Sequence, residues 1–152
     1  MRTRPVGGTV GPLGYKSPVT TEIADRDVAA VFGSYPDAIT ANLLAIRALI
    51  FETAGLTPGV GPLTEALRWG QPSYLTMSPK TGTMIRLGWH PARPDAWSMY
   101  VHCGTSLIGS AGALYPGLFQ LVGKREIRFD GHHPVPATEL SHIVTLALTY
   151  HL

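Results

Sequence analysis

The apolar positions along the chain follow two different periods, and the first of them is helical. Between residues 27 and 54 apolar side chains recur every three or four positions, which is typical of amphipathic helices. We expect a short helix from about Asp27 to Pro36, and a longer one from Pro36 or Asp37 to about Ala54, where Gly55 ends it. The apolar positions of the two stripes are Val28, Val31, Phe32, Tyr35, Ile39, Leu43, Ile46 and Ile50.

Past Gly70 the period changes to two, which predicts β-strands. Strands are expected near residues 73–78, 83–89 and 96–102, and the turns between them are rich in Pro and Gly. Turns this short join antiparallel neighbours, so the three strands should form a meander. Residues 63–68, just before it, are expected to make only a turn or two of helix. Trp69 could line a pocket or anchor this connection in the core, and the anchor is favoured.

A regular second hairpin would sort the strand residues onto two faces. It pairs Leu87 with Met99 and Trp89 with Trp97, which makes one face apolar. The opposite face mixes apolar, aromatic and basic side chains, namely Leu75, Met77, Met84, Arg86, Tyr100 and His102. This mixed face is the candidate ligand-binding surface.

The remaining sequence completes an α+β fold. The expected elements are a helix from Thr105 or Ser106 to about Leu114, an apolar stretch at 118–122, a turn at Gly123-Lys124, a strand at 125–129 and a terminal helix after Pro136. We therefore predict an antiparallel sheet of about five strands packed against helices. Residues 1–20 are rich in Gly and Pro, which predicts a flexible lead-in to a single domain of residues 21–152.

Several short motifs resemble the YdhG-like family (domain of unknown function 1801). They are Tyr35-Pro36 before a helix with Arg47-Ala48-Leu49-Ile50, then Trp69-Gly70-Gln71-Pro72-Ser73-Tyr74, then Gly123-Lys124 before Ile127-Arg128-Phe129, and finally Pro134-Val135-Pro136. The resemblance runs from about Asp27 to the end. It implies an antiparallel sheet covered by helices, without agreed catalytic residues. Other segments look like a branch distinct from the frataxin-like members that handle iron, so that activity is not carried over.

Composition and charge narrow the choice of compartment and partners. The chain has 152 residues, 45% of them hydrophobic and 14% charged, which is enough apolar surface for one globular core. Its net charge is only +2 and its basic residues are scattered, so nucleic acid is not an expected partner. A single cysteine, Cys103, excludes an intramolecular disulfide. We see no membrane-spanning or signal segment and expect a cytoplasmic protein without a membrane partner.

The turn that follows the third strand carries most of the candidate chemistry. Gly104-Thr105-Ser106 could bind an anion through free amides at a helix start. Cys103 lies beside His102, but consecutive strand residues point to opposite faces, which disfavours a Cys-His nucleophile. The histidines lie on separate elements without metal-ligand spacing, and the long helix offers no acidic ridge for iron.

The leading interpretation is a non-enzymatic binding module for a small polar or anionic ligand or a protein partner. Its site would combine the mixed face with the turn from Cys103 to Ser106, and no cofactor is expected. The alternatives are metal (iron) handling, as in frataxin-like relatives, and an enzyme that uses His102 or Cys103. Sheet edges together with Trp89 or Trp97 would allow a homodimer.

Overall fold

The computed structural model describes residues 22–152, so the predicted lead-in at residues 1–20 lies outside the described part. The helices found there are α1 (Arg26–Ser34), α2 (Asp37–Leu56), α3 (Leu107–Leu114) and α4 (Ala137–Leu148). The strands are β1 (Leu63–Arg68), β2 (Gln71–Thr76), β3 (Ile85–Gly88), β4 (Ala96–Tyr100), β5 (Gln120–Val122) and β6 (Glu126–Asp130). The α+β class is confirmed, and the described residues form a sheet of six strands rather than about five.

All neighbouring strands of the sheet are antiparallel, in the order β1-β2-β3-β4-β6-β5. The first four strands follow chain order, and the β5–β6 hairpin then docks through β6 onto β4. The predicted register of the second hairpin is confirmed where the strands pair, because Leu87 pairs with Met99 and Arg86 with Tyr100. The pairing ends with Gly88 opposite Ser98, so the expected pair of Trp89 and Trp97 lies beyond the paired residues.

Strand β1 corrects the expectation of a short helix at residues 63–68. Its six residues pair with the whole of β2, from Leu63 opposite Thr76 to Arg68 opposite Gln71. Trp69 and Gly70 form the two-residue turn between them, with φ angles of 52° and 74°. Positive φ at both positions is the signature of a type I′ hairpin turn, which brings the strands back onto each other. Pairing along the full length of β2 outweighs the weak local preference of the segment.

One face of the sheet packs against the helices and forms the core. Trp97 is only 3% exposed, and its ring stacks on Phe129 with centroids 6.5 Å apart. Trp89 is half-buried and contacts Tyr35, so the apolar face continues to the edge of the core. The fully buried residues of this face and of the facing helices include Tyr74, Ile85, Leu87, Met99, Ile127, Leu43, Ile50, Leu140, Ile143 and Val144.

Helix α2 is the central helix of this core. It runs to Leu56, two residues beyond the predicted end, with Gly55 inside its last turn. Within residues 22–152 it is the one helix that by length and composition could cross a membrane, with a mean hydropathy of 1.4, which corrects the expectation that no segment is this long and apolar. Its inward residues pack in the core, and its buried Arg47 pairs with Glu65 of β1.

The register places a row of polar residues on the opposite sheet face. Ser73 of β2 lies opposite Arg86 of β3, which lies opposite Tyr100 of β4, which in turn lies opposite Glu126 of β6. In the next row on this face Ser98 lies opposite Arg128, and Glu126 accepts hydrogen bonds from both of these side chains. We call this the polar face.

Candidate functional site

Arg86 is held at the centre of the polar face by three neighbours. Its Nη1 donates a hydrogen bond of 2.7 Å to Oε1 of Gln71. Its Cζ lies 4.9 Å from the ring centroid of Trp69 and 5.5 Å from that of Tyr100. Attraction between a cation and an aromatic face orients a guanidinium without neutralising it. Arg86 therefore keeps its charge while its position is fixed.

Gly88 makes room for this arrangement. A Cβ at residue 88 would lie 2.5 Å from Nε2 of Gln71 and 3.2 Å from Cε2 of Tyr100. The Gln71 side chain therefore crosses β3 over a position that only glycine can occupy without displacing it. The absence of a side chain at Gly88 allows Gln71 to reach Arg86.

A cavity of about 350 Å³ opens beside Arg86. Its lining is Trp69, Thr83, Met84, Arg86, Val101, His102, Cys103 and Arg125, and we call it the Arg86–Arg125 pocket. Burial, and next the charge of Arg125, lower the pKa of Arg86, while Tyr100 acts in the opposite direction. A guanidinium stays protonated at neutral pH despite such a shift. The pocket lining thus contains two guanidinium groups and no carboxylate.

Four of the ten residues predicted for the site line this pocket, namely Met84, Arg86, His102 and Cys103. Tyr100 contributes indirectly, since its ring lies against Arg86. Leu75 and Met77 are not among the lining residues; Met77 is exposed beyond the end of β2. Gly104, Thr105 and Ser106 form the turn that continues from the pocket rim towards α3.

Sequence reasoning missed Thr83, Val101 and Arg125 as pocket residues, and it preferred a different role for Trp69. Trp69 was expected to be a core anchor, but its side chain is 78% exposed because the hairpin turn projects it outward. Arg125 reaches the pocket because β6 begins beside the end of β4, where Val101 N donates to Arg125 O at 2.8 Å. Only the pairing of β4 with β6, which is not local in sequence, could have revealed this neighbour.

The turn before α3 directs its amides at internal acceptors. Gly104 N donates to His102 Nδ1 at 2.9 Å, and Thr105 N donates to His102 O at 3.1 Å. Ser106 N donates to the hydroxyl of Tyr150 at 3.0 Å. Ser106 occupies the N-cap position of α3, but its side chain makes no capping bond. These three amides are therefore not the free donors that the sequence led us to expect.

Within the described structure, the candidate catalytic residues share no hydrogen bond and the candidate metal ligands form no cluster. His102 Nδ1 accepts the Gly104 amide proton, so the proton of the neutral ring lies on Nε2. Cys103 is exposed, and within residues 22–152 no hydrogen bond joins it to a histidine. The same residues contain no group of three His, Cys, Asp or Glu side chains that could hold a metal ion.

A second cavity, of about 260 Å³, differs in charge from the first. Its lining includes Arg128, Asp130 and His133. Asp130 accepts hydrogen bonds from His133 and from the backbone of His132, and these bonds lower its pKa. A carboxylate thus faces this cavity and would repel an anion, which distinguishes it from the Arg86–Arg125 pocket.

The fold and the pocket define a small α+β domain with helices on one sheet face and a basic pocket on the polar face. No protein-family model and no curated protein matches the sequence. In structure the chain is similar to YdhG from Bacillus subtilis, a protein of the DUF1801 family, with a TM-score of 0.57. The two are 15% identical, and the match covers 80% of this chain and 89% of YdhG. The resemblance to YdhG-like proteins is thereby confirmed in fold.

Proposed function

We propose that this domain binds a small anion in the Arg86–Arg125 pocket. The observation that carries the proposal is the convergence of two guanidinium groups on one cavity whose lining contains no carboxylate. Two like charges that share a site repel each other, and after burial the charge of Arg125 is the next cause of the lowered pKa of Arg86. An anion placed between them would relieve that repulsion and gain hydrogen bonds to charged donors.

The state of the two arginines supports this proposal. Within residues 22–152 neither Arg86 nor Arg125 forms an ion pair, whereas Arg47 and Arg128 each pair with a glutamate. Arg86 is positioned by Gln71 and by aromatic rings, which are neutral groups. A preorganised and unneutralised guanidinium is suited to bind carboxylate or phosphate oxygens.

Phosphate binding tests the proposal directly. Titration of the full chain with inorganic phosphate at constant ionic strength should give saturable heat and a saturable rise in melting temperature, because a ligand that binds only the folded state stabilises it. Arg125→Gln should weaken binding about 10- to 100-fold, since a hydrogen bond to a charged group contributes about 1.5 to 3 kcal/mol. Arg86→Gln should weaken it at least as much.

Lys124→Gln is the matched control. Lys124 is exposed and adjacent to Arg125 but is not part of the pocket lining, and its replacement removes the same unit of charge. The affinity of the Lys124→Gln variant for phosphate should stay within about twofold of that of the parent, because a charge outside the pocket contributes only a screened interaction. If the parent shows no saturable binding, or if Lys124→Gln and Arg125→Gln lose phosphate affinity equally, the proposal that this pocket binds an anion is wrong.

A further inference from the structure

Trp69 occupies a backbone conformation that disfavours it. The first position of a type I′ turn has positive φ, and Asn, Asp or Gly is the usual residue there. Trp69 has φ of 52° and is the one residue other than glycine with positive φ within residues 22–152. A bulky side chain in this region is an outlier whose strain the rest of the fold must offset. Turn geometry therefore does not explain a tryptophan here.

Burial does not explain it either. The side chain is 78% exposed, so it adds little to the hydrophobic core. Part of its indole covers Arg86, and the ring lines the Arg86–Arg125 pocket at its rim. The remaining aromatic surface is open to solvent. An exposed and strained tryptophan at the mouth of a basic pocket has the placement of a contact for a ligand.

The pocket lining beside Trp69 is suited to more than a bare anion. Met84 and Val101 give it an apolar wall, and Thr83 adds a hydroxyl. A methionine thioether packs readily against aromatic rings, and its flexible chain adapts to their shape. Arg86, Arg125 and the indole of Trp69 line the same cavity as this wall. The site therefore combines an anion-binding part with an aromatic-binding part.

We propose that the ligand is a small aromatic anion, an aryl phosphate or aryl carboxylate, whose ring packs on Trp69 while its charged group binds Arg86 and Arg125. This inference rests on the proposed anion site and specifies its ligand class. Aromatic pairs contribute beyond their buried area when the rings are stacked or edge to face. Trp69 thus acts as the specificity-determining residue of the pocket.

The test compares phenyl phosphate with methyl phosphate by calorimetry on the full chain. The parent should bind phenyl phosphate about fivefold more tightly, as one aromatic contact predicts. Trp69→Asn suits the turn and should raise the melting temperature, yet the two phosphates should then bind with nearly equal affinity. Trp69→Phe keeps an aromatic ring and should retain most of the preference, even if the Asn variant loses the Arg86 contact.

The outcomes separate this inference from the anion site itself. If methyl phosphate binds the parent saturably but phenyl phosphate has no advantage, the aromatic inference is wrong and the anion site stands. An advantage of the same size in Trp69→Asn also overturns it, because Trp69 would then only cover Arg86. If neither phosphate binds saturably, the anion site fails and the ligand class fails with it.

Discussion

Arg47, Glu65 and Tyr74 form a buried polar cluster between α2 and the first hairpin. Glu65 accepts hydrogen bonds from Arg47 Nε at 2.5 Å, from Arg47 Nη2 at 2.9 Å and from Tyr74 Oη at 2.8 Å. Arg47 also lies over the ring of Phe51 and donates to the backbone of Glu22. Buried charges are tolerated when each has such partners. The cluster fixes the position of β1 on α2.

Removal of the carboxylate charge from this cluster should be costly. In Glu65→Gln the buried guanidinium of Arg47 loses the charge of Glu65, and loss of one partner of a buried ion pair typically costs about 3 kcal/mol or more. Urea denaturation, followed by circular dichroism, measures the loss. Glu52→Gln, on the exposed side of helix α2 that carries Arg47, makes the same chemical change and should alter stability by less than about 0.5 kcal/mol. Equal effects in the two variants would show that the cluster contributes nothing specific.

At the level of elements, the loop between β2 and β3 is tied to the end of α4. Thr81 donates through its hydroxyl to Leu148 O at 2.8 Å, and Thr83 N donates to Ala147 O at 2.9 Å. In the opposite direction, His151 N donates a hydrogen bond to Thr81 O at 2.8 Å. Gly82 lies between these contacts with α4 directly above it. The loop thus holds the C-terminal helix against the sheet beside Thr83 of the pocket.

Gly82→Ala should break this tie. Its new Cβ would overlap the backbone of Ala147 and Leu148, which cannot move without shifting α4. Overpacking of this kind costs about 1 to 3 kcal/mol. Gly33→Ala is the opposite case, because Gly33 lies within α1 with nothing near its Cβ position, and alanine should stabilise the helix by about 0.5 to 1 kcal/mol. Chemical denaturation of both variants should therefore give shifts of opposite sign.

The elements that sequence could predict are those whose pattern is local. Apolar periodicity located α2 and α4, and alternation with turn residues located the meander and its register. Strand β1 was missed because its length and composition suit a short helix as well as a strand. Only its pairing with β2 makes this segment a strand. Its turn, Trp69-Gly70, does not belong to the usual Asn-Gly type, so the hairpin had no familiar signal.

At the scale of the whole described structure, residues 22–152, the tyrosines whose pKa is shifted fall into two classes. Hydrogen bonds from Ser106 lower the pKa of Tyr150 below its ordinary value of 10.0. Burial, and next the charge of Glu65, raise the pKa of Tyr74 far above that value. Burial, and next Tyr100, raise that of Tyr35. One class therefore ionises more readily in the folded protein and the other less readily.

Alkaline titration should resolve these classes. Because the folded pKa of Tyr150 is lowered, its ionisation adds stability above pH 10 that is absent at lower pH. Tyr35 and Tyr74 act oppositely: their contribution is complete below pH 10 and is lost as the pH rises towards their folded pKa values. Absorbance at about 295 nm should show an early phase that Tyr150→Phe removes. An early phase that persists in this variant would contradict the assignment.

The candidate site shows where prediction from sequence ends. Register on β3 and β4 was enough to place Arg86, Tyr100 and His102 together, since they are near neighbours in a meander. Arg125 could not be placed there, because it lies about 40 positions after Arg86 in the sequence, next to the start of β6. The pairing of β4 with β6, which brings it to the pocket, has no local sequence signal. The second charge of the pocket is therefore a product of topology.

The outward projection of Trp69 has a spectroscopic consequence. Trp97 is buried at 3% exposure, so its fluorescence is emitted from apolar surroundings, whereas the indole of Trp69 at 78% exposure is surrounded by water. Its emission should therefore lie at the red edge of the spectrum. Trp89, the third tryptophan, is half-buried. Because the most exposed indole lines the Arg86–Arg125 pocket, light selected at that edge comes mainly from the pocket rim. The chain carries its own optical reporter at that rim and needs no added dye.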